Sequence, residues 1–336
     1  MINPKIPKPR IAIALGDPAG IGPEIALKAA MDPEARAICT VILVGDPHVI
    51  DAHAALCGLH PDVRVVERAL DAVDNSDGVW LLRRNQFAEE ALSIGSVCAA
   101  NGRAAIDSAR VAIAAAIAGE VDAVVAAPQT ELAIKAAGFE FDGYPSFVAR
   151  CTGTPVDDAY LMICFDNMRI VHATLHVSVR RALELVTRIR VKGAIAATAV
   201  ALNKIGIAAP RIAVSGLNPH AGEGGMFGEE EIETIAPAIA SAKAMGIHVD
   251  GPFGADTMFA KAGYDAFIVM MHDQGHIAAK TLALNRTAGM TIGTPIVFSS
   301  VAHGSALDIA GKNKANHHAM LEALRRVVGA RAGAKR

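Results

Sequence analysis

Short runs of aliphatic residues, separated by polar and glycine-rich segments, recur along most of the chain. Residues 11–15 (IAIAL) and 41–44 (VILV) are the clearest of these runs in the first part of the sequence. Unbroken aliphatic runs of this length predict strands that are buried on both faces, as in a parallel sheet. Residues 63–66 and 79–82 are shorter candidates of the same kind.

A long helical pattern follows these runs. Between residues 99 and 118, Ala, Ile and Val dominate, polar residues interrupt them at helical spacing, and Gly119 is a stop signal. A further strand is predicted at residues 121–128. Strands that alternate with helices predict a mainly parallel sheet with helices on its faces. We place the crossing into a second lobe near Pro128.

Three histidines each come soon after an aliphatic run that predicts a strand. These are His176, His220 and His272. Open α/β sheets hold ligands at the carboxyl ends of their strands, and three imidazoles suit a divalent metal with one position left open for substrate. The alternative is a structural or surface role for each histidine. His172 lies four residues before His176, and the extended pattern there favours only one of the two as a ligand.

Polar loops supply further candidates. Residues 16–24 (GDPAGIGPE) allow a tight turn and a helix start whose N–H groups face a ligand, but their spacing is not a dinucleotide fingerprint and a plain βα turn is the alternative. Asp256 is a candidate site carboxylate, with turn capping as the alternative. The three glutamates at residues 229–231 open a predicted helix, and we interpret them as partners of its dipole.

The composition narrows the class of protein. The 336 residues carry a formal net charge of −2 and are 52% hydrophobic but only 4% aromatic, which indicates a large core of small aliphatic side chains. The interspersed charges give no basic stripe for nucleic acid, and the apolar runs are too short to span a membrane. With no signal-peptide pattern, a cytoplasmic protein is expected. Five cysteines without a Cys-x-x-Cys pair favour reduced, mostly buried thiols.

Five sequence blocks, in order along the chain, resemble signature blocks of the 4-hydroxythreonine-4-phosphate dehydrogenase family of vitamin B6 biosynthesis. They are residues 16–24 (GDPAGIGPE), 216–224 (GLNPHAGEG), 255–257 (ADT), 272–275 (HDQG) and 303–306 (HGSA). Residues 303–311 are also similar to the cofactor loop of isopropylmalate and isocitrate dehydrogenases. The resemblance implies an α/β protein with a two-lobed α/β/α fold and mainly parallel sheets, like those dehydrogenases.

The resemblance also implies which residues form each lobe and what each lobe binds. Residues 1–127 and 281–336 would form a cofactor-side lobe, and residues 128–280 would bind metal and substrate and form the dimer contact. The implied protein is a homodimer with its active site at the subunit interface. It would use NAD without a Rossmann fingerprint, together with a divalent metal, Zn²⁺ being the expected ion. The implied cofactor loop contains His303, Gly304, Ser305, Asp308 and Gly311.

Individual roles follow from the same resemblance. The metal ligands of the family fall on His176, His220 and His272. Lys280 is a candidate to hold a substrate carboxylate. Asp256 and Asp273 are candidates to orient a ligand or to transfer a proton.

The sequence departs from the phosphate-using members of the family at several substrate positions. Tyr144 and Pro145 stand in place of a His-Thr pair that contacts substrate, Phe298 in place of an arginine, and Gly289 in place of an asparagine. A phosphate dianion prefers charge-assisted hydrogen bonds, which a phenyl ring does not supply. The departures predict a substrate without phosphate. The predicted substrate-binding residues are Tyr144, Pro145, Ser146 and Phe298, with ordinary core aromatics as the alternative for the two rings.

Three further segments resemble the terephthalate cis-dihydrodiol dehydrogenases, a branch of the same family. They are residues 143–146 (GYPS), 170–176 (IVHATLH) and 273–276 (DQGH). The expected activity is therefore metal-assisted, NAD-dependent oxidation and decarboxylation of that diol to protocatechuate. Two alternatives stay open. One is a dehydrogenase for 4-hydroxythreonine phosphate or a related four-carbon acid phosphate, and the other is an inactive protein that binds metal or small molecules.

Overall fold

The structure is a computed structural model that describes residues 7–73, 78–87, 92–283 and 287–329. Its contacts divide the chain into two compact units. Met1–Phe147 and Pro295–Arg336 form the first unit, and Val148–Thr294 form the second. The functional lobes expected at residues 1–127 with 281–336, and at 128–280, stay a prediction.

The strands and α-helices of the described residues follow one another along the chain as expected for an α/β protein. The strands are β1 (Arg10–Ala14), β2 (Thr40–Gly45), β3 (Val63–Val66), β4 (Val79–Arg83), β5 (Ala123–Ala126), β6 (Tyr160–Phe165), β7 (Met168–His172), β8 (Arg211–Ser215), β9 (His248–Phe253), β10 (Ala266–Val269), β11 (Ala288–Ile292) and β12 (Phe298–Val301). The helices are α1 (Gly22–Met31), α2 (Pro33–Ile38), α3 (Pro47–Cys57), α4 (Ala99–Ile117), α5 (Glu131–Ala136), α6 (Tyr144–Thr152), α7 (Val179–Leu185), α8 (Arg188–Lys204), α9 (Ala236–Ala244), α10 (His272–Ala283) and α11 (His318–Val327).

In the first unit, all neighbouring strands are parallel, in the order β3-β4-β2-β1-β5-β12. Every residue of β2 and β5 is buried, because both strands offer small or aliphatic side chains to the helices on each face. The loops after β1 and β5 lie directly against each other, since the Asp17 N–H donates to the Pro128 carbonyl at 2.9 Å. Gly16 allows this approach: a Cβ there would lie 2.3 Å from the Pro128 oxygen.

In the second unit, the strand order is β11-β6-β7-β10-β8-β9. β6 pairs antiparallel with both β11 and β7, whereas β7, β10, β8 and β9 run parallel to one another. Parallel neighbours end at the same edge of a sheet. The segments that follow these four strands therefore meet at one edge of the second unit.

The aliphatic runs predicted the strands well. The strands expected at residues 11–15, 41–44, 63–66 and 79–82 are confirmed, as is the long helix near residues 99–118. Two elements differ from the expectation. His272 begins a helix that the sequence did not indicate, and the acidic segment opens with a π-helical turn, Glu231–Ile235, before α9 begins.

The cysteines agree with the expectation of reduced thiols. All five are thiols, not halves of a disulfide, and Cys39, Cys57 and Cys164 are buried, whereas Cys98 and Cys151 are partly exposed. Burial raises the pKa of the Cys39 thiol to about 12. Among the residues that the structure describes, none of the helices is long and apolar enough to cross a bilayer.

Candidate active site

The carboxyl edge of the parallel strands in the second unit carries most of the residues singled out in the sequence. His172 is the last residue of β7, and His176 lies in the bend that follows rather than in a strand. His272 comes three residues after the end of β10, and His220 lies in the loop after β8. Asp256 lies in the turn after β9. The four parallel strands of the second unit thus bring these side chains to one edge of its sheet.

Four histidines form a cluster at the start of α10. The rings of His272 and His276, one helical turn apart, are stacked with their centroids 3.7 Å apart and an interplanar angle of 11°. The His176 ring lies 5.5 Å from that of His272. His276 Nδ1 and His172 Nε2 are 3.1 Å apart and share a hydrogen bond. The sequence indicated His176 and His272, but it did not indicate that His276 lies between His272 and His172.

Burial keeps the inner two rings of this cluster neutral. His172 is 1% exposed, and burial, followed by the neighbouring histidines, lowers its pKa to about 3. Burial and the adjacent His272 lower the pKa of His276 to about 4. A neutral imidazole has one N–H donor and one acceptor nitrogen, so one ring of the pair donates and the other accepts. Both rings are therefore uncharged at neutral pH.

The residues after His272 each fix the cluster in a different way. Asp273 Oδ1 accepts from His272 Nδ1 at 2.6 Å, which leaves Nε2 of that ring as its acceptor nitrogen. Gln274 accepts from the N–H groups of Met270 (2.9 Å) and Met271 (3.0 Å) and donates to the Gly216 carbonyl (3.2 Å). Gly275 leaves room for His172, because a Cβ there would lie 2.3 Å from His172 Nε2.

The rest of α10 separates a core-facing side from a polar side. Gly275, Ala279 and Ala283 are buried, and the two alanines pack in the core cluster of the second unit. Lys280 is exposed and lies two turns after His272, on the same side of the helix as His276. The helix thus presents two imidazoles and an ammonium group in one row.

The loop that carries His220 has an unusual backbone. Residues 220–224 all have left-handed dihedral angles, with φ of 53° at His220, 53° at Ala221 and 44° at Glu223. This conformation costs roughly 1–2 kcal/mol for each residue that is not glycine. Such strain persists where surrounding contacts over-determine the backbone, and it is concentrated at functional sites.

Glu231 binds the residues at the start of this loop. It is only 3% exposed, and its carboxylate accepts from the N–H groups of Leu217 (2.6 Å) and Asn218 (2.8 Å) and from the Asn218 side-chain amide (2.9 Å). Burial alone would raise the pKa of Glu231, but these hydrogen bonds together hold it below its usual value. The interpretation of Glu231 as a helix-dipole partner is therefore wrong, since its carboxylate is bound to the preceding loop.

The imidazoles suit a divalent metal by their chemistry, because neutral ring nitrogens at a solvent-accessible edge are donors that such ions accept. The structure brings His176 and His272 together. Within the described residues of one chain, however, three His, Cys, Asp or Glu side chains do not converge as a metal site. His220 is thus kept on its own loop, beside the turn of Asp256: a Cβ at Gly254 would lie 3.9 Å from the His220 Cα.

The predicted substrate residues of the first unit form an aromatic cluster. The Tyr144 ring lies 5.0 Å from Phe298 and 5.4 Å from Phe141. The Tyr144 hydroxyl donates to the Ala127 carbonyl (3.0 Å) and accepts from Gln129 Nε2 (2.8 Å), and burial raises its pKa well above the usual value. Phe298 is 0% exposed, so its ring is fully buried beside Tyr144. Pro145 and Ser146 are partly exposed at the start of α6.

The predicted cofactor loop also lies in the first unit and packs against the glycine-rich turn after β1. Ser305 is buried, accepts from the Thr130 hydroxyl at 2.9 Å, and its carbonyl accepts from the Ile21 N–H at 2.8 Å. A Cβ at Gly20 would lie 2.7 Å from the Ser305 Cβ. The other predicted residues of the loop lie around this contact: His303, Gly304 and Asp308 are exposed, and Gly311 has a φ of 69°.

Comparisons with known proteins agree on a single family. The chain matches the family of the pyridoxal phosphate biosynthetic protein PdxA over residues 37–327. It is 40% identical over 324 residues to a 1,2-dihydroxy-3,5-cyclohexadiene-1,4-dicarboxylate dehydrogenase of Comamonas sp, covering 96% of this chain and 98% of that protein. It is 38% identical over 320 residues to a Clostridium botulinum protein provisionally named D-threonate 4-phosphate dehydrogenase, covering 94% and 95% respectively.

The solved structures extend this agreement to the fold. A 4-hydroxythreonine-4-phosphate dehydrogenase from Burkholderia phymatum superposes with a TM-score of 0.87 at 33% identity, covering 96% of this chain and 98% of that one. The predicted α/β fold with mainly parallel sheets is thereby confirmed. The named relatives are dehydrogenases that match almost end to end. The chain therefore belongs to the PdxA family and is a dehydrogenase.

Proposed function

We propose that this dehydrogenase oxidises and decarboxylates a β-hydroxy acid that carries no phosphate, with terephthalate cis-dihydrodiol as its substrate, NAD as the oxidant and a divalent metal as a cofactor. The observation that carries this proposal is the buried contact between Phe298 and Tyr144. The phosphate-using relatives, by resemblance, have an arginine at the position of Phe298. A fully buried phenyl ring cannot replace its charge-assisted hydrogen bonds to a phosphate dianion.

Overall identity does not decide between the two substrates. The relative named for a cyclohexadiene diol dicarboxylate and the relative provisionally named for a threonate phosphate are 40% and 38% identical to this chain. The proposal rests instead on the substrate-binding positions that the resemblance predicts. Tyr144 would present its ring to the carbocycle of the diol, and Phe298 would support Tyr144 from behind.

The chemistry of the diol fits one oxidation followed by loss of carbon dioxide. Its secondary alcohol lies β to a carboxylate. NAD accepts hydride from the carbinol carbon, and the hydroxyl proton passes to a base, which leaves a β-keto acid. The bond to the neighbouring carboxylate then breaks, carbon dioxide leaves, and the electron pair that remains is protonated as an enol. That enol is the catechol ring of protocatechuate, so rearomatisation drives the reaction.

The polar edge of the second unit carries candidate side chains for metal binding, substrate binding and proton transfer. His176, His220 and His272 are the proposed metal ligands, and a bound divalent ion would stabilise negative charge that develops on the substrate oxygen. Asp273 holds Nδ1 of His272 as a donor, which keeps the ring in the orientation and tautomer of a ligand. Lys280 would pair with a substrate carboxylate. Asp256, exposed beside the His220 loop, would accept or return a proton.

NAD is proposed to bind at the loop of residues 303–311. Exposed His303 and Asp308 offer a ring nitrogen and a carboxylate to the hydroxyl and amino groups of an adenosine. Gly304 is also exposed, and a Cβ there would meet no atom within 4 Å, so the loop leaves open space at this point. The buried contacts of Ser305 fix the loop to the turn after β1.

The test is NADH formation by purified, zinc-loaded protein that receives the diol or 4-hydroxythreonine phosphate in parallel reactions. The proposal expects turnover of the diol alone, and loss of that turnover when a chelator removes the metal. Turnover of the phosphate alone would replace this function with that of the phosphate-using relatives. No NADH from either substrate, with metal bound, would favour the inactive binding protein.

A further inference from the structure

The carboxylate of Glu231 lies inside the loop that presents His220. Its Oε1 accepts from two consecutive backbone N–H groups, those of Leu217 and Asn218, and its Oε2 accepts from the Asn218 side chain. Two glycines make room for it. A Cβ at Gly216 would lie 2.9 Å from Oε1, and a Cβ at Gly222 would lie 2.7 Å from Oε2. The loop therefore encloses the carboxylate as it would enclose a bound anion.

Both segments that form this contact, the loop and the start of the helix, have an unusual backbone conformation. On the loop side, five consecutive residues, 220–224, are left-handed, and three of them are not glycine. On the helix side, Glu231 begins the π-helical turn Glu231–Ile235, an arrangement that is rare and often found at functional sites. Neither feature is needed to connect β8 to α9, because an ordinary loop and an ordinary helix start would do so.

A second tether joins the same loop to the segment that carries His272. Gln274 donates to the Gly216 carbonyl at 3.2 Å and accepts from the N–H groups of Met270 and Met271. Gly216 is the residue directly before the two N–H groups that Glu231 binds. One connected set of hydrogen bonds thus runs from Glu231, through the start of the loop, to the residues before His272.

We propose that Glu231 is a positioning residue for metal binding: by holding the loop of residues 216–224 in its left-handed conformation, it sets the place of the His220 ring. This inference rests on the proposed function in one respect, since it takes His220 to be a metal ligand. It does not depend on the substrate. The residues that orient a ligand typically change metal affinity 10–100-fold when they are replaced, so the effect of losing this carboxylate is measurable.

The test compares Glu231→Gln with Glu233→Gln. Both changes remove one negative charge from the same helical turn, but Glu233 is exposed and Glu231 is not. The glutamine at residue 231 would turn an amide N–H₂ toward the Asn218 side-chain amide, so one of the three hydrogen bonds is lost. Affinity for Co²⁺ or Zn²⁺ alone is measured by competition with a chromophoric chelator, and amide hydrogen exchange is followed across residues 216–224.

The expected result for Glu231→Gln is a metal affinity about 10–100-fold weaker than that of the unsubstituted protein, with faster exchange in residues 216–224. Glu233→Gln should change neither. Excess metal should return the exchange rate of residues 216–224 in Glu231→Gln toward that of the unsubstituted protein, because the defect is in holding the ligand. A third variant, His220→Asn, separates positioning from general stability, since asparagine tolerates a left-handed backbone. Adding Glu231→Gln to His220→Asn should weaken metal binding no further.

Three results would overturn the proposal. The first is a metal affinity for Glu231→Gln that equals that of Glu233→Gln. The second is faster exchange in the loop without any change in metal affinity. The third is a full additional loss of affinity when Glu231→Gln is combined with His220→Asn, which would mean that Glu231 does not act through His220. Because the metal-affinity and hydrogen-exchange measurements contain no substrate, failure of the diol to react would overturn the proposed substrate and not this inference.

Discussion

At the scale of single residues, Gly275 shows how closely the histidine cluster is packed. A Cβ at this position would lie 2.3 Å from His172 Nε2 and 2.8 Å from Ile170 Cγ2. His172 cannot move away freely, because it is buried and shares a hydrogen bond with His276. The absence of a side chain at residue 275 is therefore what allows the two histidines to pair.

We predict that Gly275→Ala lowers the free energy of unfolding by about 1–3 kcal/mol, the usual effect of overpacking a filled core. Gly304→Ala is the control for stability, since a Cβ at Gly304 would meet no atom within 4 Å. Urea denaturation of both variants, without cofactor, measures the difference. Equal stability of the two would show that the cluster accommodates a methyl group, contrary to this account.

Tyr144 leads to a second prediction at this scale. Burial raises the pKa of its hydroxyl well above the usual value, so the hydroxyl keeps its proton near neutral pH and is a donor to the Ala127 carbonyl, not a general base. Tyr144→Phe should therefore lower stability by about 1–2 kcal/mol, through loss of buried hydrogen bonds. The dependence of kcat on pH should keep its shape. A shifted alkaline limb in this variant would instead make Tyr144 a titrating group of the reaction.

At the scale of elements, the loop before Glu231 leads to a prediction about acid stability. The pKa of Glu231 lies below its usual value of 4.5 in the folded chain. A carboxylate of this kind stabilises the fold above the pKa that it has when unfolded, and this stabilisation is lost as the pH falls toward the lower, folded value. Glu231→Gln should therefore reduce the decline of stability below about pH 4.5. Thermal unfolding from pH 7 to pH 3 measures it, with Glu233→Gln as the control, and an unchanged acid limb would contradict the prediction.

The strands and helices also show which parts of the site could be predicted from the sequence. Strands buried on both faces read as aliphatic runs, and parallel strands bring their carboxyl ends together, so the pattern indicated that His176, His220 and His272 follow strand ends. It did not indicate β9, the strand before Asp256. The pattern missed α10 because its first turn contains Asp273 and Gly275 and follows β10 almost directly. Those residues read as a loop when their partners are unknown.

The role of Glu231 could not be predicted from the sequence, for a related reason. Three consecutive glutamates at a helix start ordinarily face solvent, and the sequence does not distinguish the one that the loop encloses. Its burial depends on the left-handed backbone of residues 220–224, which is a tertiary feature. The signal that would have pointed to it is the number of glycines in the loop, since Gly216 and Gly222 are the residues that admit its carboxylate.

At the scale of the whole molecule, the second unit exposes apolar side chains that a single chain does not cover. Val179 and Leu183, one turn apart on α7, are 69% and 49% exposed, and Ile189 on α8 is 81% exposed. Exposed apolar groups on one side of a helix are typical of protein contact surfaces. This surface supports the proposed homodimer, and a second copy of the chain is the partner that we propose for it.

We predict that the double variant Val179→Lys and Leu183→Lys weakens self-association at least tenfold, because two charges would have to be buried in the contact. Ile117→Lys, which changes an equally accessible residue of the first unit (55% exposed), should leave association unchanged. Analytical ultracentrifugation over a range of protein concentrations compares them. A monomeric unsubstituted protein, or a double variant that associates normally, would contradict the proposal that this surface binds a second copy of the chain.

The stoichiometry of the reaction tests most directly whether one enzyme couples hydride transfer to decarboxylation of a phosphate-free substrate. The zinc-loaded protein would receive terephthalate cis-dihydrodiol labelled in the carboxylate next to the alcohols, and NADH, labelled carbon dioxide and protocatechuate would be quantified together. We expect equal amounts of all three. NADH without labelled carbon dioxide, or no reaction with this diol while 4-hydroxythreonine phosphate is oxidised, would contradict it.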